Sequence, residues 1–249
     1  MNKEIKQRFC QQLGDERVRF EEPMCDHTTF RIGGPAEVFV MPDSYEQIAW
    51  VIRQCRQEAI PYFILGNGSN LLVSDHGYRG VIIQLDRNLG EITVNGTEIR
   101  AAAGALLSTI AATARRSSLS GFEFAGGIPG TLGGAVVMNA GAYGGEMKQV
   151  LESVEVMTAD GEFFTIPVEE MGLAYRTSVV EQKNYIVLEA VISLEKGNPE
   201  KIKEVMDDLK EKRVTKQPLE YASAGSTFKR PEGYFAGKLI EDAGLRGFR

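Results

Sequence analysis

Apolar and polar positions along the chain change period several times, and each change marks an element. In "SYEQIAWVIRQCRQEA", Ile48, Ile52, Cys55 and Ala59 share one helical face, with Ser44 and Gln47 placed as a capping-box pair. Pro61 ends that helix. "YFIL" then reads as a short buried strand running into a glycine loop, and "GVIIQL" (80–85) as another strand. In "EITVNGTEIRAAA", Asn95-Gly96 sits between alternating segments and predicts a hairpin. "ALLSTIAATARRSS" follows as a helix with Leu107, Ile110, Ala111 and Ala114 inward, and "ESVEVMTADGEFFTIP" as a second hairpin turned at Asp160-Gly161. "YIVLEAVISLEKG" is a long strand. "NPEKIKEVMDDLKEKRVTK" starts a helix with Asn198 as N-cap, Pro199 in first position and Ile202, Val205, Met206 and Leu209 as its apolar stripe. After a loop-like stretch beyond Gln217, "GYFAGKLIEDAG" predicts a short helix stopped by Gly244. Helices mixed with hairpins predict α+β lobes, not one doubly wound parallel sheet.

The 249 residues are enough for two or three small lobes. The boundaries fall at 1–89, 90–197 and 198–249. A net charge of −6 argues against a general nucleic-acid or anionic-membrane binder, which needs a basic face. No apolar run reaches the roughly 18 residues that span a bilayer, and the charged N-terminus lacks a signal-peptide core. The expectation is a cytoplasmic monomer with no nucleic-acid or membrane partner. Cys10, Cys25 and Cys55 form no CxxC pair, and His27 and His76 are the only histidines, so no metal site is predicted.

Glycine is concentrated in two places. "GNGSN" (Gly66, Asn67, Gly68, Ser69, Asn70) follows a strand, as a phosphate loop would. It lacks the third glycine of a dinucleotide fingerprint, because Leu71 holds that place, and it is no Walker loop. It reads equally as a cradle of backbone N–H groups or as a tight capped turn. "GGIPGTLGGAVVMNAGAYGG" (126–145) holds eight of the chain's 27 glycines. Its "TLGGAVVMN" suits one or two helical turns whose N-terminus faces an anion. Surface turns are the plainer alternative. Together, two such loops suit one extended ligand with a diphosphate at its middle.

In order along the chain stand "HTTFRIGGPAEVFV", "LGNGSNLLVSD", "GIPGTLGGAVVMNAGAYG", "YRTS" and "AGSTFKRP". In these five motifs, spread from about residue 20 to 249, the chain resembles the UDP-N-acetylenolpyruvoylglucosamine reductase family in its compact form. The resemblance implies a two-lobed FAD-binding fold of the vanillyl-alcohol-oxidase type, followed by a substrate-binding α+β lobe. It implies FAD contacts from Gly66, Asn67, Gly68, Ser69 and Asn70, and from Gly130, Thr131, Gly133, Gly134, Asn139, Ala140 and Gly141. No histidine or cysteine lies in 66–70 to tether the cofactor, so non-covalent FAD is expected.

The implied reaction reduces UDP-N-acetylglucosamine enolpyruvate to UDP-N-acetylmuramate, a peptidoglycan precursor, with NADPH as hydride donor. Such a reduction needs cationic donors where negative charge develops and a placed acid for the proton. Arg176 matches the arginine that polarises the carboxylate, and Ser226 the proton donor. Lys229 suits either stabilisation of the resulting alkoxide or binding of a substrate phosphate, and Tyr175, Lys238 and Glu241 are candidate substrate contacts. Arg230 departs from the asparagine common at its position. The family's sequences run on past the position of Arg249 to a further catalytic glutamate, which Glu241 does not replace. Either the sequence is truncated or a residue within it takes that role; for a protein that ends at Arg249, the expectation is FAD binding with very poor turnover. Two rival readings are an oxidase of the same fold and a non-catalytic flavin-binding module.

Overall fold

The computed structural model describes residues 1–248. The chain opens with α1 (Lys3–Leu13), which buries Ile5, Phe9 and Leu13 at i, i+4, i+8 spacing. This charged stretch carries no predicted element, because only three apolar contacts are spread along it. A four-stranded sheet follows, built from β1 (Val18–Pro23), β2 (Pro35–Val40), β3 (Tyr62–Leu65) and β4 (Tyr78–Gln84) in the order β1-β2-β4-β3. β1 pairs antiparallel with β2, while β2 and β3 each run parallel to β4.

The crossover from β2 to β3 is α2 (Tyr45–Gln57). Ser44 caps it, its Oγ accepting from Gln47 N at 3.3 Å. Gln47 Oε1 accepts from Asp43 N at 3.0 Å, so the box closes one residue outside the predicted pair. The buried face is Ile48, Val51, Ile52 and Cys55. Ala59 is exposed at φ 52, beyond the helix end, and leaves the predicted stripe because the helix has already unwound.

β2 and β4 are buried on both faces; over Val38–Val40 and Val81–Ile83 their two-residue period divides them between two cores, and an irregularity between Ala36 and Val38 turns Ala36 to the smaller one. Val38, Val40, Val81 and Ile83 join α1 and α2 in the main core. Ala36, Phe39 and Ile82 join Met24 and Leu65 in a smaller cluster, with Leu71 and Val73 against it. That smaller cluster is the floor beneath the loop that follows β3.

The second sheet has five antiparallel strands, ordered β11-β10-β12-β6-β5. In chain order this region contains β5 (Ile92–Asn95), β6 (Glu98–Ala102), α3 (Leu107–Arg116), β7 (Leu119–Ser120), α4 (Leu132–Val137), β8 (Gly141–Ala142), β9 (Gly145–Glu146), β10 (Leu151–Met157), β11 (Phe163–Pro167), α5 (Val179–Lys183), β12 (Ile186–Ser193) and β13 (Glu195–Lys196). Both predicted hairpins form, and α3 buries the four residues its period picks out. The main core runs unbroken from Ile5 to Leu194, so the two sheets share one interior. Across it the Tyr45 hydroxyl donates to the Leu188 carbonyl at 3.2 Å. Burial, helped by Glu189 and Glu155, pushes that phenol up to about 12, which keeps it protonated as a donor.

α6 (Pro199–Lys216) begins on Asn198, whose Oδ1 accepts from Glu200 N at 2.9 Å and Lys201 N at 3.3 Å. Its predicted stripe is covered only at Ile202; Val205 is exposed, and Met206 and Leu209 are half-buried. The helix lies against α3, β7 and the turn at 123–125, and the rest of it is solvated, with Lys203–Asp207 and Lys212–Asp208 pairs at 2.6 Å. Residues 217–248, which include α7 (Ala236–Asp242), contain no buried residue. No helix among the described residues is long and apolar enough to cross a membrane.

Candidate cofactor and substrate site

The first glycine loop leaves the C-terminal end of β3, the position where open α/β sheets bind ligands. Gly68 has φ +61, and a Cβ there would stand 2.0 Å from the His27 carbonyl oxygen. Only glycine lets the loop fold onto this segment, and Thr29 N then donates to Gly68 O at 3.2 Å. Among the described residues, the backbone amides of Asn67, Gly68, Ser69 and Asn70 donate to no protein acceptor. Four consecutive free amides, that of positive-φ Gly68 among them, leave donors available to a phosphate. A cleft of about 180 Å³ adjoins them, lined by Asp26, His27, Thr28, Thr29, Asn67 and Gln84.

The wall of that cleft is held rigidly. His27 Nε2 donates to Glu22 Oε1 at 2.8 Å, and its ring lies 4.1 Å from that of Phe39. Burial raises the Glu22 carboxyl, but hydrogen bonds from His27 and Arg19 outweigh it and hold the group below the usual carboxylate range.

The second segment meets the first directly. Asn67 Nδ2 donates to the Pro129 carbonyl at 3.0 Å. A Cβ on Gly66 would stand 2.3 Å from Thr131 Oγ1, and one on Gly130 would stand 3.6 Å from Ser69 Oγ. The end of α4 is not the open anion site expected of it. Leu132 N donates to Ala105 O, and Gly133 N to Ala103 O, both at 2.8 Å, so these first-turn amides stitch the segment to the loop before α3. Gly133 packs against Ala103, and Gly141 against the Gly145 carbonyl. Gly134 is exposed, and a Cβ there would meet nothing closer than Thr131 Oγ1 at 4.0 Å, whereas Gly130 is half-buried against Ser69 and Leu107. The most open space along this segment is therefore at Gly134, while Gly133 and Gly141 pack against neighbouring backbone. The free amides and the open Gly134 fit an extended dinucleotide.

Asn139 is 2% exposed and sits at φ 39. Its Oδ1 accepts from Lys148 N at 2.9 Å, and its Nδ2 donates to Glu146 Oε2 at 3.1 Å and Ala174 O at 3.2 Å. The side chain is spent inside the protein, and its bond to Ala174 ties the second segment to the turn bearing Arg176. The adjacent Ala140 N donates to Ala135 O at 2.8 Å. Ser178, fully buried, adds a second tie, its Oγ donating to Val137 O at 2.8 Å.

Ala174 and Thr177 bond each other through both backbone groups, which places Tyr175 and Arg176 at the tip of a tight turn. Both are exposed; Arg176 has φ 58, and its guanidinium lies 5.3 Å from the Tyr175 ring. The Tyr175 hydroxyl accepts from Arg230 N at 3.3 Å, which joins this turn to the "GSTFKRP" loop. Arg230 itself stacks over Phe235 at 4.1 Å and donates to Tyr234 O.

In that loop Ser226 is exposed, and its Oγ donates to Phe228 O at 3.2 Å. Lys229 is exposed nearby. Lys238 pairs with Asp242 at 2.8 Å, and Glu241 with Arg246 at 2.7 Å, both on or beside α7. Tyr175 and the loop of Ser226 and Lys229 thus come together, while Lys238 and Glu241 engage their own helix neighbours. His27, Thr29 and Gln84 stand at the first loop without having been singled out, although "HTTFRIGG" already contained two of them. Gln84 Nε2 donates to Gly66 O at 3.3 Å.

Comparison with known proteins agrees with this layout. Residues 36–167 match the FAD binding domain family, and residues 217–249 match the C-terminal domain of UDP-N-acetylenolpyruvoylglucosamine reductase. The chain is 51% identical over 250 residues to the UDP-N-acetylenolpyruvoylglucosamine reductase of Alkaliphilus metalliredigens, covering 100% of this chain and 82% of that protein. The crystal structure of the corresponding reductase from Thermus caldophilus superposes with a TM-score of 0.79 at 37% identity, covering 93% of this chain and 81% of that one. A 4-ethylphenol oxidase from Gulosibacter chungangensis, 19% identical with a TM-score of 0.58 over 78% of this chain and 42% of its own, shares the fold. On these matches, and on the two joined glycine loops, the chain belongs to the UDP-N-acetylenolpyruvoylglucosamine reductase family, on the α+β FAD-binding fold.

Proposed function

We propose that this chain reduces UDP-N-acetylglucosamine enolpyruvate to UDP-N-acetylmuramate, with NADPH as reductant and non-covalent FAD as cofactor, in peptidoglycan precursor synthesis. The observation that carries the reading is the joining of the two glycine loops by the Asn67–Pro129 bond beside four free amides. FAD, when bound, supplies a hydride acceptor for NADPH and a hydride donor for the terminal carbon of the enolpyruvyl ether. Gly66 to Asn70 hold its diphosphate. Gly130, Thr131, Gly134 and the backbone near Ala140 line its other side, with Gly133, Asn139 and Gly141 supporting them.

Arg176 binds the substrate carboxylate and stabilises the negative charge that reaches it. A guanidinium presents a planar, permanently charged fork for that task. Ser226 gives the proton to the carbon next to the carboxylate, and its hydroxyl suits a strongly basic carbon held in contact. Tyr175 and Lys229 contact the sugar nucleotide, and Lys238 and Glu241 approach it from α7. Three lobes, 1–89, 90–197 and 198–249, divide the work; the first two follow the two sheets, and the third brings the Ser226 loop. The protein acts as a cytoplasmic monomer.

The test is anaerobic. Protein reduced by NADPH regains its flavin colour when the enolpyruvyl sugar nucleotide is added. Recovery only with dioxygen assigns an oxidase instead, and protein inert to NADPH assigns a binding module.

A further inference from the structure

We propose that Thr29 is the positioning residue that docks the Ser226 loop onto the first glycine loop; the proposal rests on the reading of Ser226 as proton donor. Residues 217–248 contain no buried residue, so the site depends on the few bonds that hold this segment. Thr29 makes two of them. Its Oγ1 donates to Ser223 O at 2.6 Å, and its own carbonyl accepts from Ser223 N at 3.1 Å. The bonded residues are 194 positions apart in sequence.

The same residue also grips the cofactor side. Thr29 N donates to Gly68 O at 3.2 Å, at the carbonyl of the loop's positive-φ glycine. Ser223 in turn accepts from Gly225 N through its Oγ at 3.1 Å, which starts the turn into Ser226. On the other side of Ser226 stands the Tyr175–Arg230 bond. The candidate proton donor is therefore slung between two tethers, one fixed to the first glycine loop and one to the Arg176 turn. Proton delivery depends steeply on distance, so loss of one tether lowers the rate of the step that uses Ser226 and spares the step that does not.

The variants are Thr29→Val, which removes the hydroxyl and keeps the shape, and Thr29→Ser, which restores the hydroxyl. Three quantities are read: flavin reduction by NADPH, reoxidation by the enolpyruvyl substrate, and hydrogen–deuterium exchange over residues 219–230 without substrate. In Thr29→Val, reoxidation slows by about tenfold, the size of one lost hydrogen bond, and slows more than reduction by NADPH, because the backbone bond from Thr29 N to Gly68 O is kept. Exchange over 219–230 quickens, and Thr29→Ser returns both readings toward wild type. Wild-type reoxidation rates and exchange in Thr29→Val overturn the proposal, as does a Thr29→Ser protein as slow as Thr29→Val. If the wild-type flavin is not reoxidised by the enolpyruvyl substrate at all, the proposed reaction falls; the exchange reading still decides the docking, with unchanged protection in Thr29→Val overturning it.

Discussion

Asn67 Nδ2 donates to the Pro129 carbonyl at 3.0 Å, across 62 positions of sequence. This bond, with Gly66 seated on Thr131, turns two separate glycine-rich stretches into one surface. Its neighbours decide how each position tolerates change.

Gly68→Ala is the severest single change in the first loop. The new Cβ meets the His27 carbonyl at 2.0 Å, at φ +61. It destabilises the fold by more than about 2 kcal/mol and weakens FAD binding at least about tenfold. Gly96→Ala is the control, with φ +62 but nothing within 4 Å; it costs about 1 kcal/mol and leaves FAD affinity alone. Urea unfolding and flavin fluorescence titration read the two effects.

Asn139→Ala leaves Lys148 N without its acceptor and unties the Ala174 carbonyl, which keeps its bond from Thr177 N. The change removes three hydrogen bonds of a buried side chain, each worth about 1 kcal/mol net, so stability falls by about 2–3 kcal/mol. Because the Arg176 turn hangs from Ala174, reoxidation by substrate slows more than reduction by NADPH. Denaturant midpoints and the two half-reactions measure this.

Arg176 holds a left-handed backbone conformation at φ 58, unfavourable for a side chain and tolerated here in an exposed turn. Arg176→Gly relieves that strain, so its unfolding free energy lies from equal to wild type to about 1 kcal/mol above it. Turnover is nonetheless lost with the guanidinium. A melting curve beside a steady-state assay shows whether stability and function separate in this way.

Ser226→Ala keeps bleaching of the flavin by NADPH and loses reoxidation by the enolpyruvyl substrate. Its Oγ bonds only Phe228 O at the surface, so stability stays within about 0.5 kcal/mol. Normal turnover in this variant removes Ser226 from the reaction.

Glu22 supplies a pH signature. Its folded carboxyl titrates below its ordinary value, so it contributes stability that is fully present above the unfolded pKa, about 4.3, and is lost as pH falls through the lower folded value. Glu22→Gln weakens the contacts to His27 and Arg19, costing about 1 kcal/mol at pH 7. The gap between variant and wild type closes as pH falls below that of an ordinary carboxylate. Melting temperatures from pH 7 down to pH 3 trace the closure.

Local order was legible along the chain because it is written locally. The period of α3 picked out its four buried residues, and Asn95-Gly96 and Asp160-Gly161 marked both hairpins. Asn198 marked the start of α6 through bonds that span only two and three residues. The density of glycine at 66–70 and 126–145, with the five motifs in order, was enough to indicate the family and its cofactor.

What required the folded chain is everything that depends on which distant groups meet. A glycine needed for a ligand and one needed for close packing look alike in sequence; Gly134 is open because nothing lies against it, and Gly133 is closed because Ala103 does. The stripe of α6 was readable, but its burial was not, since a helix cannot encode whether a partner covers its face. Thr29 carries no local signal for its bonds to Gly68 and Ser223, because both depend on chain segments that only folding brings together.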